Sequence, residues 1–147
     1  MNKENKGFFK ILLVEDNPAD IRLTEEAIRE SKISSDLDIV KDGVEAISYL
    51  KKTGKYSKAC RPNLILLDLN LPKKSGLEVL REIKQDKDLR RIPIVVLTIS
   101  ANEEDLMRAY DLHANCFVNK PLEIKDFYKI VKAIEDFWFK IVNLPNR

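Results

Sequence analysis

The sequence predicts an α/β domain built on a five-stranded parallel sheet that is doubly wound, with helices on both faces. Short β-rich runs alternate with amphipathic stretches along the whole chain, the signature of successive βα units. The β-rich runs are mostly continuous apolar segments, as expected of strands covered on both sides. The chain has 147 residues, 44% hydrophobic and 34% charged, with only 4 Gly and 6 Pro, which suits one compact domain.

The elements follow in order. The first strand is expected over 10–15, and a surface helix over 18–31, where Ile21, Leu23, Thr24, Ala27 and Ile28 share one arc and Arg22, Glu25, Glu26, Arg29 and Glu30 the other. A second strand over 37–40 leads to a helix carrying Val44, Ile47 and Leu50. Residues 51–62 read as a solvated loop with Lys51, Lys52, Lys55, Lys58 and Arg61, and no function is assigned to it. A third strand over 63–68 precedes a helix with Val79, Leu80 and Ile83. A fourth over 94–98 precedes one with Leu106, Ala109 and Tyr110, and a fifth strand covers 116–119. The last helix, 123–142, is long, and its apolar arc exceeds half the circumference. One sheet face needs a stripe of little more than about 100°. A partner chain is the favoured cover for the surplus, and the tail 143–147 is the alternative.

Composition excludes several classes. Lys and Arg outnumber Asp and Glu by 26 to 24, leaving +2, so no bulk charge draws the chain to nucleic acid or membrane. Apolar runs reach four or five residues where about 20 are needed to span a bilayer. The polar start, 1–7, lacks a secretory core, and the distant Cys60 and Cys116 suit reduced thiols, so a cytoplasmic location is expected.

In open parallel sheets ligands bind at the carboxyl ends of the strands. There this chain carries Glu15 and Asp16 after the first strand, Asp68 after the third, Thr98 after the fourth, and Lys120 with Pro121 after the fifth. Three converging carboxylates repel one another unless a cation sits among them, and oxygen-only ligands point to Mg²⁺. Thr98 and Lys120 supply a hydroxyl and a positive charge for an incoming phosphoryl group. Asp68, closing the strand Leu64-Ile65-Leu66-Leu67, is the expected nucleophile. A phosphatase using a strand-terminal Asp needs a second acid two residues on, where Asn70 stands. The glycines are scattered, so no glycine-rich phosphate loop exists. His113 reads as a loop residue.

These residues carry a resemblance. Leu12-Leu13-Val14-Glu15-Asp16-Asn17, Leu67-Asp68-Leu69-Asn70-Leu71-Pro72, Thr98 and Lys120-Pro121 resemble the receiver domain of two-component response regulators. The stretch from Glu15 to Asp20, that from Asn63 to Lys74, Leu112-His113-Ala114-Asn115-Cys116 and the ending from Phe137-Trp138 to Leu144-Pro145 resemble single-domain regulators that partner phytochrome-type histidine kinases. The resemblance implies a flavodoxin-like strand order of 2-1-3-4-5 and a receiver unit over 8–143, with short tails at 1–7 and 144–147.

It also implies roles. Asp68 would be the phosphoacceptor. Glu15, Asp16, Asp68 and the Asn70 main-chain carbonyl would hold Mg²⁺. Thr98 and Phe117 would be the switch, Lys120 the cation that pairs with the phosphoryl group, and Pro121 would follow a cis peptide bond. Ile99 is bulky where receivers usually carry a small residue, which narrows the path for small phosphodonors but leaves a docked kinase histidine access. The expected partners are a sensor histidine kinase, a downstream protein reached by contact, and a second copy meeting it through the fourth helix, fifth strand and fifth helix. Tyr128 and Phe139 are expected at the edge of that face. The chain would be a phosphoacceptor rather than an enzyme. A receiver-like module that works without phosphorylation is the alternative, disfavoured because the whole acidic and Lys/Thr set is present.

Overall fold

The computed structural model describes residues 9–31, 34–99 and 102–145. The expected tail 1–7 lies outside them, as does residue 8 at the expected domain boundary. Five strands form one sheet: β1 (Phe9–Val14), β2 (Ser35–Val40), β3 (Leu64–Leu67), β4 (Ile94–Thr98) and β5 (Cys116–Asn119). Their order is 2-1-3-4-5, and every neighbouring pair is parallel. The connecting helices are α1 (Pro18–Arg29), α2 (Gly43–Lys51), α3 (Gly76–Gln85), α4 (Glu103–Asp111) and α5 (Ile124–Asp136).

The apolar runs divide between two cores by the two-residue period of a strand. Leu12, Val14, Ile65, Leu67, Ile94 and Val96 face α2, α3 and α4, where they meet Ala46, Leu50, Val79, Leu80, Ile83 and Ala109. Ile11, Leu13, Leu64, Leu66, Val95 and Leu97 face α1 and α5, where they meet Ala27, Ile28, Phe127, Val131 and Ile134. Burial on both sides is why these strands read as unbroken hydrophobic stretches.

Side-chain caps fix where α1 to α4 begin, and so where the strand ends before them point. The Asn17 side chain accepts from Ala19 N at 2.9 Å and Asp20 N at 3.1 Å, with Pro18 opening α1. Asp42 accepts from Glu45 N at 2.7 Å, and Asn102 accepts from Asp105 N at 3.0 Å. Ser75 and Glu78 form a reciprocal capping box that starts α3. Gly76, inside that start, packs against the backbone after β3. A Cβ there would meet the Asp68 carbonyl oxygen and lie 2.5 Å from Leu69 Cα, so only glycine lets α3 seat against the Asp68 turn.

The last helix runs close to its expected extent, 124–141, but changes its turn part-way. Regular α-helix stops at Asp136, and Phe137–Ile141 forms a π turn closed by Val142 N donating to the Phe137 carbonyl at 3.0 Å. Phe139 is buried there and stacks on Phe9 of β1 with centroids 4.2 Å apart. Leu144 packs against the same core. Part of the surplus apolar arc is therefore covered by the chain itself. Phe139 does not belong to an open face, whereas Phe137, Ile141 and Ile124 remain exposed. The basic loop contains a 3₁₀ turn, Gly54–Tyr56, whose Tyr56 ring packs on Tyr49 with centroids 5.3 Å apart. Among the described residues no helix is long and apolar enough to cross a membrane.

Candidate functional site

At the carboxyl edge of the sheet, Lys120 gathers acids from three directions. Its Nζ lies 2.5 Å from Glu15 Oε1, 2.8 Å from Asp20 Oδ2 and 3.0 Å from Asp68 Oδ2. β1 brings Glu15, the first turn of α1 brings Asp20, and β3 leads into Asp68. Lys120 follows β5, held there by its own N–H donating to the Thr98 carbonyl at 2.9 Å. The Thr98 hydroxyl donates to Asp68 Oδ1 at 3.0 Å, and the Asn70 main-chain N–H reaches the same oxygen at 3.0 Å. Both Asp68 oxygens are thus held, each by a donor able to transfer to an oxyanion.

The cluster is buried and unevenly charged. Glu15, Asp68, Thr98 and Lys120 are each at least nine-tenths shielded. Three carboxylates face one ammonium, which leaves a formal −2. Burial pushes the Glu15 carboxyl up to about 7, and the Asp68 charge adds to the rise while Lys120 opposes it. Burial alone would lower the Lys120 ammonium, but the hydrogen bonds it donates to Asp20 and Glu15 overcome this and hold the amine firmly protonated. A divalent cation is what this charge deficit and its all-oxygen donors suit. Among the described residues no three acidic, His or Cys side chains are preassembled around a metal position. Glu15, Asp20 and Asp68 close on Lys120 instead, and Asp16 stands exposed outside the cluster.

Four of the expected residues therefore meet directly: Glu15, Asp68, Thr98 and Lys120. Asn70 joins them through its N–H. Phe117 is half-buried on β5 beside Val96 and packs on the α4 side of the sheet, away from the ion cluster. Ile99 follows β4 and is 66% exposed. Pro121 requires a correction. No peptide bond among the described residues is cis, so the Lys120–Pro121 link is trans. Trans is preferred before proline by about 0.5–1 kcal/mol, and Lys120 reaches all three acids without giving that up. Asp20 was not singled out by sequence reasoning. Its signal was an acid one turn past an Asn-Pro helix start, at the carboxyl end of β1. Cys116 is half-buried, and burial raises its thiol, which keeps it unreactive.

An open 2-1-3-4-5 sheet that holds a buried aspartate, threonine and lysine on three successive strand ends defines a signalling α/β class, and relatives make it specific. The family model described as the response regulator receiver domain matches residues 11–132, and the chain belongs to that family. Response regulator Rcp1 of Synechocystis sp. is 54% identical over 145 residues, covering 99% of each chain. The crystal structure of Mn²⁺-bound Rcp1 superposes with a TM-score of 0.91 at 53% identity, over 94% of this chain and 99% of that one. The phosphorylated cyanobacterial phytochrome response regulator RcpA gives 0.92 at 52% identity, over 95% and 99%. The probable methanogenesis regulatory protein FilR2 of Methanothrix harundinacea is 41% identical over 88% of this chain and 83% of its own.

Proposed function

We propose that Asp68 accepts a phosphoryl group from the phosphohistidine of a sensor kinase, of phytochrome type given the relatives above. The observation that supports this reading is the pair of exchangeable donors on Asp68, the Thr98 hydroxyl and the Lys120 ammonium. An Asp68 oxygen attacks phosphorus, and the N–P bond to the kinase imidazole breaks with its electron pair returning to nitrogen. The product is an aspartyl phosphate. Lys120 and Thr98 then have a phosphoryl oxygen to hold in place of the carboxylate. Mg²⁺, held by Glu15, Asp16, Asp68 and the Asn70 carbonyl, would supply charge neutralisation at the phosphoryl oxygens. Asp20 keeps Lys120 aimed between the two sides of the crevice.

Thr98 drawn toward the phosphoryl group leaves room behind β4, which Phe117 on the adjoining strand is positioned to fill. That motion reports phosphorylation to the face of α4, β5 and α5. Met107 and Tyr110 of α4 are exposed on the outer side of that face and suit an isologous contact with a second copy. Signalling is by contact with that copy or a downstream protein rather than by turnover of a substrate. A kinase supplied with ATP puts this chemistry in the cytoplasm, and the working unit spans 8–143.

The test is incubation with kinases carrying labelled phosphohistidine, with and without Mg²⁺. Wild type should be labelled only with Mg²⁺, and Asp68→Asn should not be labelled at all. Equal labelling of the variant would assign the acceptor elsewhere.

A further inference from the structure

The edge of the sheet opposite the ion cluster carries a second concave site. A cleft of about 370 Å³ opens beneath the entries to β3 and β4, and the C-terminal segment at Leu144 and Pro145 closes one side. That volume falls in the range of small-ligand pockets, roughly 300–1,000 Å³. It draws two residues from the basic loop, Lys52 and Arg61, and a third cation from the turn before β4, Arg91. Among the described residues Asp88 is the one acid in the lining.

The cations are not neutralised internally. Among the described residues Lys52, Arg61 and Arg91 form no salt bridge within 4 Å. Of the other loop cations, Lys55 pairs with Glu45 at 3.7 Å, away from the cleft. The nearby Asp86 feels the Arg61 charge but is already committed. Its Oδ1 accepts from Asp88 N at 2.9 Å and Leu89 N at 3.1 Å, and those backbone bonds, with Lys51 and Arg61 helping, hold its carboxyl low. Arg61 Nε is shielded from water and has no hydrogen-bond partner. A buried unsatisfied donor costs about 1–3 kcal/mol, so an acceptor brought to this nitrogen by a ligand would be stabilising. A small rotation would present its Nε–Nη edge to two oxygens of one anion, the geometry arginine uses for phosphate.

The remainder of the lining is apolar except for Asn63, whose side-chain oxygen already accepts from Lys10 N at 2.8 Å. The rings of Pro62, Pro93 and Pro145 bound the cleft together with Ile92. Three cations and three proline residues in one lining match an organic phosphate with an apolar body. An acidic peptide would need a longer groove than a cavity of this volume.

We propose that this cleft binds a small organic phosphate of the nucleoside monophosphate class, with Arg61, Arg91 and Lys52 on the phosphate and the proline faces against the base. Binding would tie the C-terminal segment to the base of the sheet, far from Asp68.

The experiment is NMR titration of the full chain with AMP, inorganic phosphate and hexaglutamate, following the amides of Asn63, Ile92 and Leu144. AMP should shift all three, bind at least tenfold more tightly than inorganic phosphate, and lose at least tenfold in both Arg61→Gln and Arg91→Gln. Those variants should keep wild-type unfolding temperatures and wild-type labelling at Asp68, which separates this site from the phosphoacceptor reading. Phosphate binding as tightly as AMP, hexaglutamate binding more tightly than AMP, or saturable AMP shifts that survive both substitutions would each overturn the proposal. So would the absence of any shift at these amides.

Discussion

Lys120→Met in metal-free buffer isolates what the ammonium contributes to the fold. The substitution keeps an unbranched stem of similar reach and strips the charge from three carboxylates now 2.5, 2.8 and 3.0 Å from it. The side chains of Lys120, Glu15 and Asp68 are all at least nine-tenths shielded, so solvent screening is weak for that pair of contacts. Asp20 is partly open and adds less. Removing one partner of a buried ion pair typically costs about 3–5 kcal/mol. The lower end applies here, because Glu15, already pushed up to about 7, relieves the repulsion by taking a proton. At about 2–4 °C per kcal/mol for a domain of this size, the unfolding temperature should fall by about 6–12 °C in EDTA. Circular dichroism melts of the two proteins measure it. Saturating Mg²⁺ should raise the variant's midpoint more than the wild type's, since a cation then replaces the missing charge. Asp68→Asn should move the midpoint the other way in EDTA, because it removes one of the repelling carboxylates. A Lys120→Met protein that melts with wild type in EDTA, or an Asp68→Asn protein destabilised as much as Lys120→Met, would show that packing rather than charge holds the cluster.

Glu135 is almost fully buried on α5, bonded by the Ser35 hydroxyl at 3.1 Å, with its other oxygen unpartnered. Burial raises its carboxyl above 4.5, so the charged form opposes folding at neutral pH and costs nothing below the unfolded value. Glu135→Gln should therefore raise the midpoint at pH 7 by about 2–4 °C, equivalent to about 1 kcal/mol. Melts at descending pH should show the gain vanishing below about pH 4, and a constant gain would contradict the linkage. Phe139→Ala removes the ring stacked on Phe9 and should destabilise by about 3–5 kcal/mol in urea unfolding, which makes it a stability variant and a poor probe of association. Met107→Glu with Tyr110→Glu should leave unfolding unchanged, since both side chains are exposed, while abolishing any dimer of the phosphorylated protein seen by sedimentation. A dimer that persists in that variant would move the interface elsewhere.

The parts legible in the sequence were those set by one-dimensional pattern. Unbroken apolar runs marked β1, β3 and β4 because both faces of each are buried, and the carboxylates at their ends marked the crevice. β2 was seen two residues short because it is an edge strand with its early residues half-exposed. There Asp36 and Asp38 alternate with apolar neighbours, and both are paired by Lys10. The terminal helix was legible in extent but not in turn geometry, for a related reason. A helical wheel assumes one turn geometry throughout, whereas the π turn after Asp136 rotates Phe139 onto Phe9 and consumes apolar surface that seemed to need another chain.

Asp20 shows where such reading runs out. The wheel of α1 sorts residues by the face they turn to the sheet, but the first turn of a helix after a strand has a second direction, along the axis toward the crevice. The Asn17 cap sets how far the chain turns before α1 begins, and with it which first-turn side chain reaches back to the site. Sequence supplies the cap and the acid separately. Only their spacing in three dimensions makes Asp20 the third carboxylate on Lys120, and that third charge raises the deficit from −1 to −2. A crevice with two acids and a lysine is near balance and could serve as a structural ion pair, whereas one with three has an unmet demand for positive charge. The cluster therefore gains its affinity for a cation from a residue whose own position reads as an ordinary helix start.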